Sequence, residues 1–161
     1  MTRSSPAPSP TYQAPGWLTR NVVNRAVARL TRLGVSVWGS RILEVQGRSS
    51  GQARTTPVNL LTVGGAQYLV SPRGTTQWVR NVRAADGHLA LLLGRRREDR
   101  LATEITGAEA VPVLRAYLQR WKMEVGAFFE TGADATDAEL AAIVANHPVF
   151  GLAPALSAGR R

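Results

Sequence analysis

Two adjacent glycines, Gly64 and Gly65, separate the runs "RTTPVNLLTV" and "AQYLVS". Strand-like runs about a Gly-Gly pair read as a β-hairpin, because glycine takes the positive φ of both central turn positions without steric cost. The segment before them, "SRILEVQG", is rich in branched apolar residues and suits a third strand. "HLALLLG" and "RLATEIT" form another expected pair, joined by a turn over Arg95–Asp99, and "HPVFGL" suits a short closing strand. Strands connected mostly by hairpins argue for an antiparallel sheet or small barrel rather than a βαβ fold.

Helical periodicity flanks this block. Val22, Val23, Ala26, Val27, Leu30 and Leu33 share one face at the 3.6-residue period, with Arg25, Arg29 and Arg32 on the other. Such a basic amphipathic helix either covers a sheet with its charged side in water or rests on an anionic membrane. "TQWVRNVRAAD" reads as a short helical or turn-rich piece. From Val111 to Phe129 the stripe Leu114, Tyr117, Leu118, Trp121, Val125 and Phe128 predicts a helix, and a last one is expected over Asp137–Ala145. Asp134 and Asp137 read as capping or loop residues rather than an acid–base pair. The expected architecture is α+β, mainly β. It comprises a flexible arm over 1–15 and one domain over 16–161, with an N-terminal helix at 17–33, a barrel core at about 35–106 and C-terminal helices within 111–145.

Composition narrows the function. At 161 residues the chain suits one domain with a real core. It has no cysteine, which removes thiolate ligands and a cysteine nucleophile, and its two histidines, His88 and His147, show no zinc-site spacing, so no metal is expected. The proline- and serine-rich start is not a signal peptide, and no run reaches the roughly 18 apolar residues of a membrane span, so a cytoplasmic protein is expected. The formal net charge is +9, the first acidic residue is Glu44, and the sole lysine is Lys122. That balance suits nucleic acid, anionic lipid or an anionic small molecule. Nucleic acid is not expected: aromatic and basic residues are not interleaved as in a single-strand stacking platform, and no helix-turn-helix signature stands out. A GxGxxG turn and a Walker loop are also missing.

The cationic chemistry concentrates in "GRSSGQARTTPVNLL", residues 47–61. Arg48 and Arg54 flank a turn of Ser49, Ser50, Gly51 and Gln52. Pairing of the flanking strands would bring the two guanidinium groups close. A bound anion gives such a pair a reason, with backbone N–H groups and hydroxyls completing a cradle. A solvated basic hairpin loop is the other reading, and the residues alone leave the two even. Pro57 removes one donor from the following strand, which marks an edge or a place where a ligand approaches.

"SPRGTTQWVRNVRA" is the second concentration. Ser71 ends a strand, Arg73 and Gly74 follow in a loop, and Trp78 and Asn81, three apart, share a helical face. An indole offers a flat wall to a ring system, and an amide offers donors and an acceptor to ring heteroatoms. A core tryptophan with a helix-capping asparagine is the alternative.

Together, "GRSSGQARTTPVNLLTVGGAQYLVSPRGTTQWVRNVRA" resembles the deazaflavin-dependent nitroreductase family over roughly residues 40–105. The shared pieces are G-R-[KS]-[ST]-G-x-x-R-x-x-P, a hairpin, a strand ending in serine and Trp-x-x-Asn. Departures are Ser49, where many relatives carry lysine, and Pro72-Arg73 after Ser71, where lysine is again common.

The resemblance implies a small antiparallel split β-barrel flanked by helices, and an oxidoreductase that takes a hydride from reduced coenzyme F420 to an enone, quinone or nitro-compound. It implies that Arg48, Ser49, Ser50, Gly51, Gln52 and Arg54 hold the phosphate and acidic tail, with Arg73 in support. Thr56, Pro57, Leu69, Val70, Ser71, Gln77, Trp78 and Asn81 would line the ring. The acceptor pocket would be closed by the N-terminal segment and the Trp121–Phe129 region. FMN, which also carries a phosphate, is the alternative cofactor; a non-catalytic cofactor or anionic-surface binder is the alternative of another class. No proton donor is assigned, since Tyr68 and Tyr117 fall in regular elements and Tyr12 in the arm.

Overall fold

The computed structural model describes residues 39–155. The expected arm and the amphipathic helix over 17–33 lie outside the described residues, and with them any membrane contact of that helix. Six strands form a closed antiparallel barrel in the order β1-β2-β3-β6-β5-β4. They are β1 (Ser40–Gln46), β2 (Ala53–Val63), β3 (Ala66–Val70), β4 (His88–Leu93), β5 (Arg96–Ile105) and β6 (Val149–Pro154). Among the described residues three α-helices accompany them: α1 (Gln77–Ala84), α2 (Ala110–Val125) and α3 (Asp137–Val144).

The glycine pair turns the β2–β3 hairpin as expected, with φ of 58° at Gly64 and 82° at Gly65 and Val63 opposite Ala66. The expected Arg95–Asp99 turn is corrected. β4 and β5 are joined by Gly94–Arg95 alone, with Leu93 opposite Arg96. The charged run "RREDR", Arg96–Arg100, therefore lies in a strand, and ion pairs are what make that tolerable. Arg97 pairs with Glu44 of β1 and with Asp99, while Glu98 pairs with Arg96 and Arg100. β6 arrives from beyond the C-terminal helices and closes the barrel between β3 and β5.

Two apolar cores follow from the strand pleat. Leu43, Val45, Leu60, Leu69, Leu89, Leu91, Ala102 and Phe150 fill the barrel, and Val79 and Val82 of α1 join them. α1 thus plugs the barrel end at which β3 finishes and β4 starts. Outside the wall, Leu61, Val70 and Val149 pack against Leu114, Tyr117, Leu118 and Trp121 of α2 and Leu140, Ile143 and Val144 of α3. Because β3 is buried on both faces, Leu69 and Val70 both have apolar partners. α2 has a non-helical residue at Trp121 (φ −121°, ψ 29°), so the expected helix over Val111–Phe129 kinks and ends in a 3-10 turn, Gly126–Phe128.

α3 is capped by Thr136. Its hydroxyl accepts from the N–H of Glu139, whose carboxylate accepts in return from the Thr136 N–H, forming a capping box. Asp137 instead pairs with Arg115 of α2. No described helix is long and apolar enough to cross a membrane.

Candidate functional site

β2 is eleven residues long, more than either neighbour needs. Ala53–Asn59 pair with β1 only, while Leu60–Val63 pair with β3. Continuing β3 past Val70 would cover the open edge of β2, but the chain turns away at Ser71 and enters α1. The open edge of β2, taken together with the Ser71–Thr76 loop and the start of α1 that follow β3, is the candidate cleft. Pro57 lies in this one-sided segment, where its missing N–H costs no ladder bond to β3.

The Gly47–Gln52 turn stands at one end of the cleft and is fixed by its own backbone. Gly47 N–H donates to Gln52 O and Gly51 N–H to Gly47 O, both at 2.8 Å. Gln46 Nε2 donates to Gly51 O and Gln52 N–H to Ser50 Oγ. A Cβ on Gly47 would lie 2.8 Å from Ser50 Oγ and 3.2 Å from Arg54 Cγ, so the small residue is what lets these side chains close over the turn. Among the described residues, the N–H groups of Ser49 and Ser50 have no acceptor, and both residues are exposed. Arg48 and Arg54 have no carboxylate partner among the described residues, nor does Arg80, whereas Arg83, Arg96, Arg97, Arg100 and Arg115 each have one. Free N–H groups, hydroxyls and unpaired guanidinium groups form a donor set that fits a phosphate or carboxylate.

The two expected clusters meet through Arg48. Its Nη1 donates to Gln77 Oε1 at 2.9 Å and to Asn81 Oδ1 at 3.0 Å, and its backbone N–H donates to the same Asn81 oxygen at 3.3 Å. Asn81 is buried, at 6% exposure, in the middle of α1. It caps nothing; it ties the turn to the helix. Trp78 is half-buried, its ring 5.6 Å from that of Phe150 and packed against the barrel core. One face is therefore held by the core, which fixes the indole at the rim of the cleft.

The remaining expected residues divide. Thr56 and Pro57 are half-buried on the open-edged part of β2. Leu69 is fully buried inside the barrel and Val70 in the outer core, so their side chains are spent on packing, and Leu69 is paired on both edges, with Leu60 of β2 and Phe150 of β6. Ser71 is fully buried, its hydroxyl donating to Gly74 O at 2.6 Å and its N–H to Pro148 O. It shapes the loop. Arg73 lies 4.9 Å over the Phe128 ring, a cation–π contact that draws it toward the segment after α2.

His147, which sequence reasoning gave no role, anchors the same loop. Its Nδ1–H donates to Pro72 O at 3.0 Å, and its ring stacks on Phe129 at 4.1 Å. The carbonyl can only accept, so Nδ1 carries the proton. Burial pushes the imidazole below its ordinary pKa, against smaller opposing effects from the Pro72 carbonyl, Glu130 and the Ser71 backbone. No sequence signal marks this role, because Pro72 is 75 residues away.

One surface groove of about 340 Å³ crosses β1, β4 and β5, includes Glu44, Gln46, His88 and Arg97, and reaches Gly51 of the basic turn and Ala53 at the start of β2. The other, about 510 Å³, runs between α2 and α3 beside Arg115 and Asp137. Neither contains Arg48, Trp78 or Asn81. Among the described residues, no three His, Asp or Glu side chains cluster as metal ligands.

A closed six-strand antiparallel barrel, with a basic turn hydrogen-bonded to the helix that follows β3, is of the split-barrel class. The chain belongs to the F420H(2)-dependent quinone reductase family, whose family model matches residues 17–147. It is accordingly an F420-dependent oxidoreductase. Comparison with curated proteins gave no match. Among solved structures, an F420-H2 dependent reductase (FDR-A) is 19% identical, over 71% of this chain and 94% of that one, with a TM-score of 0.49. A structure described as a domain-swapped dimer is 18% identical over 83% and 98%, with a TM-score of 0.52. The heme storage protein HutZ from Vibrio cholerae is 9% identical over 83% and 92%, also with a TM-score of 0.52. At these identities the likeness is one of fold, and it is the two structures at 0.52 that bear on it.

Proposed function

We propose that this protein is a quinone reductase whose Gly47–Arg54 turn binds the phosphate and acidic tail of reduced F420. The observation that carries the proposal is the Arg48 link to Gln77 and Asn81, which makes the basic turn and the Trp78 rim two walls of one cleft. Arg48 and Arg54 supply charge, while Ser49, Ser50 and the turn N–H groups supply neutral donors. Thr56, Pro57 and Trp78 flank the space for the ring, and the backbone from Leu69 to Ser71 closes one side of it. When bound, the reduced deazaflavin supplies the hydride; the chain orients it and excludes water on the barrel side.

The family description favours a quinone as acceptor, with enones and nitro-compounds as electrophiles of the same kind. FMN would meet the same phosphate donors, but family membership favours the deazaflavin. The test is a fluorescence titration with oxidised F420 beside FMN at one ionic strength, followed by spectroscopic observation of reduced F420 with a quinone added. Saturation by F420 and quinone-dependent oxidation are expected. Saturation by FMN alone would keep the fold and overturn the cofactor assignment.

A further inference from the structure

Arg48 differs from the other arginines of the barrel in what holds it. Arg83 and Arg97, which also lie across elements, are oriented by carboxylates: Glu104 for the first, Glu44 and Asp99 for the second. Arg48 is oriented by two carboxamides. Arginine only donates, so in both amides it is the oxygen that faces it. The geometry also accounts for each proton on one nitrogen. Nη1 has two hydrogens, and the two contacts at 2.9 and 3.0 Å use both. The Nε–H and the two Nη2 hydrogens have no partner among the described residues, and these form the side-on fork that meets a phosphate or carboxylate with two parallel bonds. Asn81 Oδ1 in turn accepts from Nη1 and from the Arg48 N–H, which fills both of its lone pairs.

From this we infer that Gln77 and Asn81 are positioning residues: an amide clamp that aims Arg48 at the cofactor's phosphate or carboxylate without neutralising its charge. A carboxylate in either place would hold the guanidinium at least as firmly but would cancel the charge that the ligand needs. Asn81 is buried, so its oxygen is fixed, whereas Gln77 is exposed and completes the pair from the first residue of α1. The clamp explains why the mid-helix position 81 carries a polar side chain between the buried Val79 and Val82. It rests on the cofactor assignment above and adds the reason that the site uses amides.

The test compares Asn81→Asp and Gln77→Glu with Arg48→Ala and the wild type. It measures affinity for oxidised F420 and for the same deazaflavin stripped of phosphate and tail. Each carboxylate variant keeps the acceptor oxygen, so a purely structural role predicts little change. The clamp predicts about a tenfold or greater loss of F420 affinity in each, since a unit charge within about 4 Å of the guanidinium opposes an anionic ligand. It also predicts unchanged affinity for the stripped deazaflavin, and little further loss when either variant is added to Arg48→Ala. Gln77→Glu carries the test alone if Asn81→Asp melts at a much lower temperature, because residue 77 is exposed.

If both variants bind F420 like the wild type while Arg48→Ala does not, the clamp is overturned and the cofactor assignment stands. Equal losses for the stripped deazaflavin would overturn it too, by placing Asn81 in direct ring contact or in the fold alone. Failure of the wild type to bind F420 would instead overturn the cofactor assignment.

Discussion

Arg83 of α1 and Glu104 of β5 form a two-bond ion pair at 2.9 and 2.6 Å, and this pair tethers the helix that plugs the barrel. The hydrogen bonding that Arg83 donates to Glu104, and secondarily the carboxylate's charge, outweigh desolvation and raise the arginine pKa above its ordinary value. Both side chains remain in partial contact with water, at 44% and 30% exposure. The pair therefore stabilises by only about 0.2–1 kcal/mol, and Val79 and Val82 beneath it hold the helix. Glu104→Gln is expected to lower denaturant stability by less than about 1 kcal/mol, with cofactor affinity unchanged. A larger loss at low salt that vanished at high salt would show the tether to be stronger than its exposure implies.

Gly87, just before β4, is a more demanding position. Its φ is +82°, and a Cβ there would lie 2.1 Å from the Ala102 carbonyl oxygen. That backbone is itself engaged, since Ala102 N–H donates to Gly87 O. Neither group can retreat without breaking the strand start. Gly87→Ala is expected to cost more than about 2 kcal/mol in equilibrium unfolding, combining a left-handed backbone with a backbone clash. A cost under half of that would mean that the β4–β5 register can shift.

How much of this was legible in the sequence depends on the range of the interaction. The Gly64–Gly65 hairpin and the α2 stripe are local, and both could be read. The strand that opens with "RREDR" could not, because the pair that tames its charge, Arg97 with Glu44, spans 53 residues. The site shows the same division. Its two clusters are visible as motifs, and the resemblance joins them, but the Arg48–Asn81 bonds lie across 33 residues and have no periodic signature. The packing of Leu69 and Val70 was hidden for another reason. A strand buried on both faces loses its alternation, so nothing local tells which side chains face a core and which a ligand.

Core substitution separates packing from binding at one of these positions. Leu69 is fully buried between Leu60 and Phe150 on adjoining strands. Leu69→Ala is expected to cost about 2–5 kcal/mol of stability. The F420 dissociation constant of the remaining folded protein should change little, since the side chain lies inside the barrel. A large change in affinity at unchanged stability would place the side chain in the site.

The His147 anchor makes the loop beside the cleft sensitive to acid. Its folded pKa is depressed by burial, so the unfolded chain binds more protons wherever the pH lies between the folded and unfolded values. Stability is fully present above the ordinary histidine value of about 6.5 and is lost as pH falls toward and through the depressed folded value. The groups that face the ring are the Pro72 carbonyl, the Ser71 backbone, Phe129 and, through charge, Glu130. Unfolding by denaturant at pH 7.5 and at 5.0 should show the loss, and His147→Gln should flatten the slope while lowering stability at both. A slope unchanged in His147→Gln would assign the acid sensitivity to another group.

Trp78 offers an optical test of the cleft. Of the four tryptophans in the chain, Trp78 stands half-buried at the cleft rim, while Trp121 is 2% exposed in the outer core. A flat deazaflavin brought against the rim would stack near the first indole and stay screened from the second. Titration with oxidised F420 should therefore quench intrinsic fluorescence, and Trp78→Phe should remove most of that quench while weakening affinity only several-fold, because a ring remains against Phe150. Full quenching in Trp78→Phe would move the ring away from Trp78.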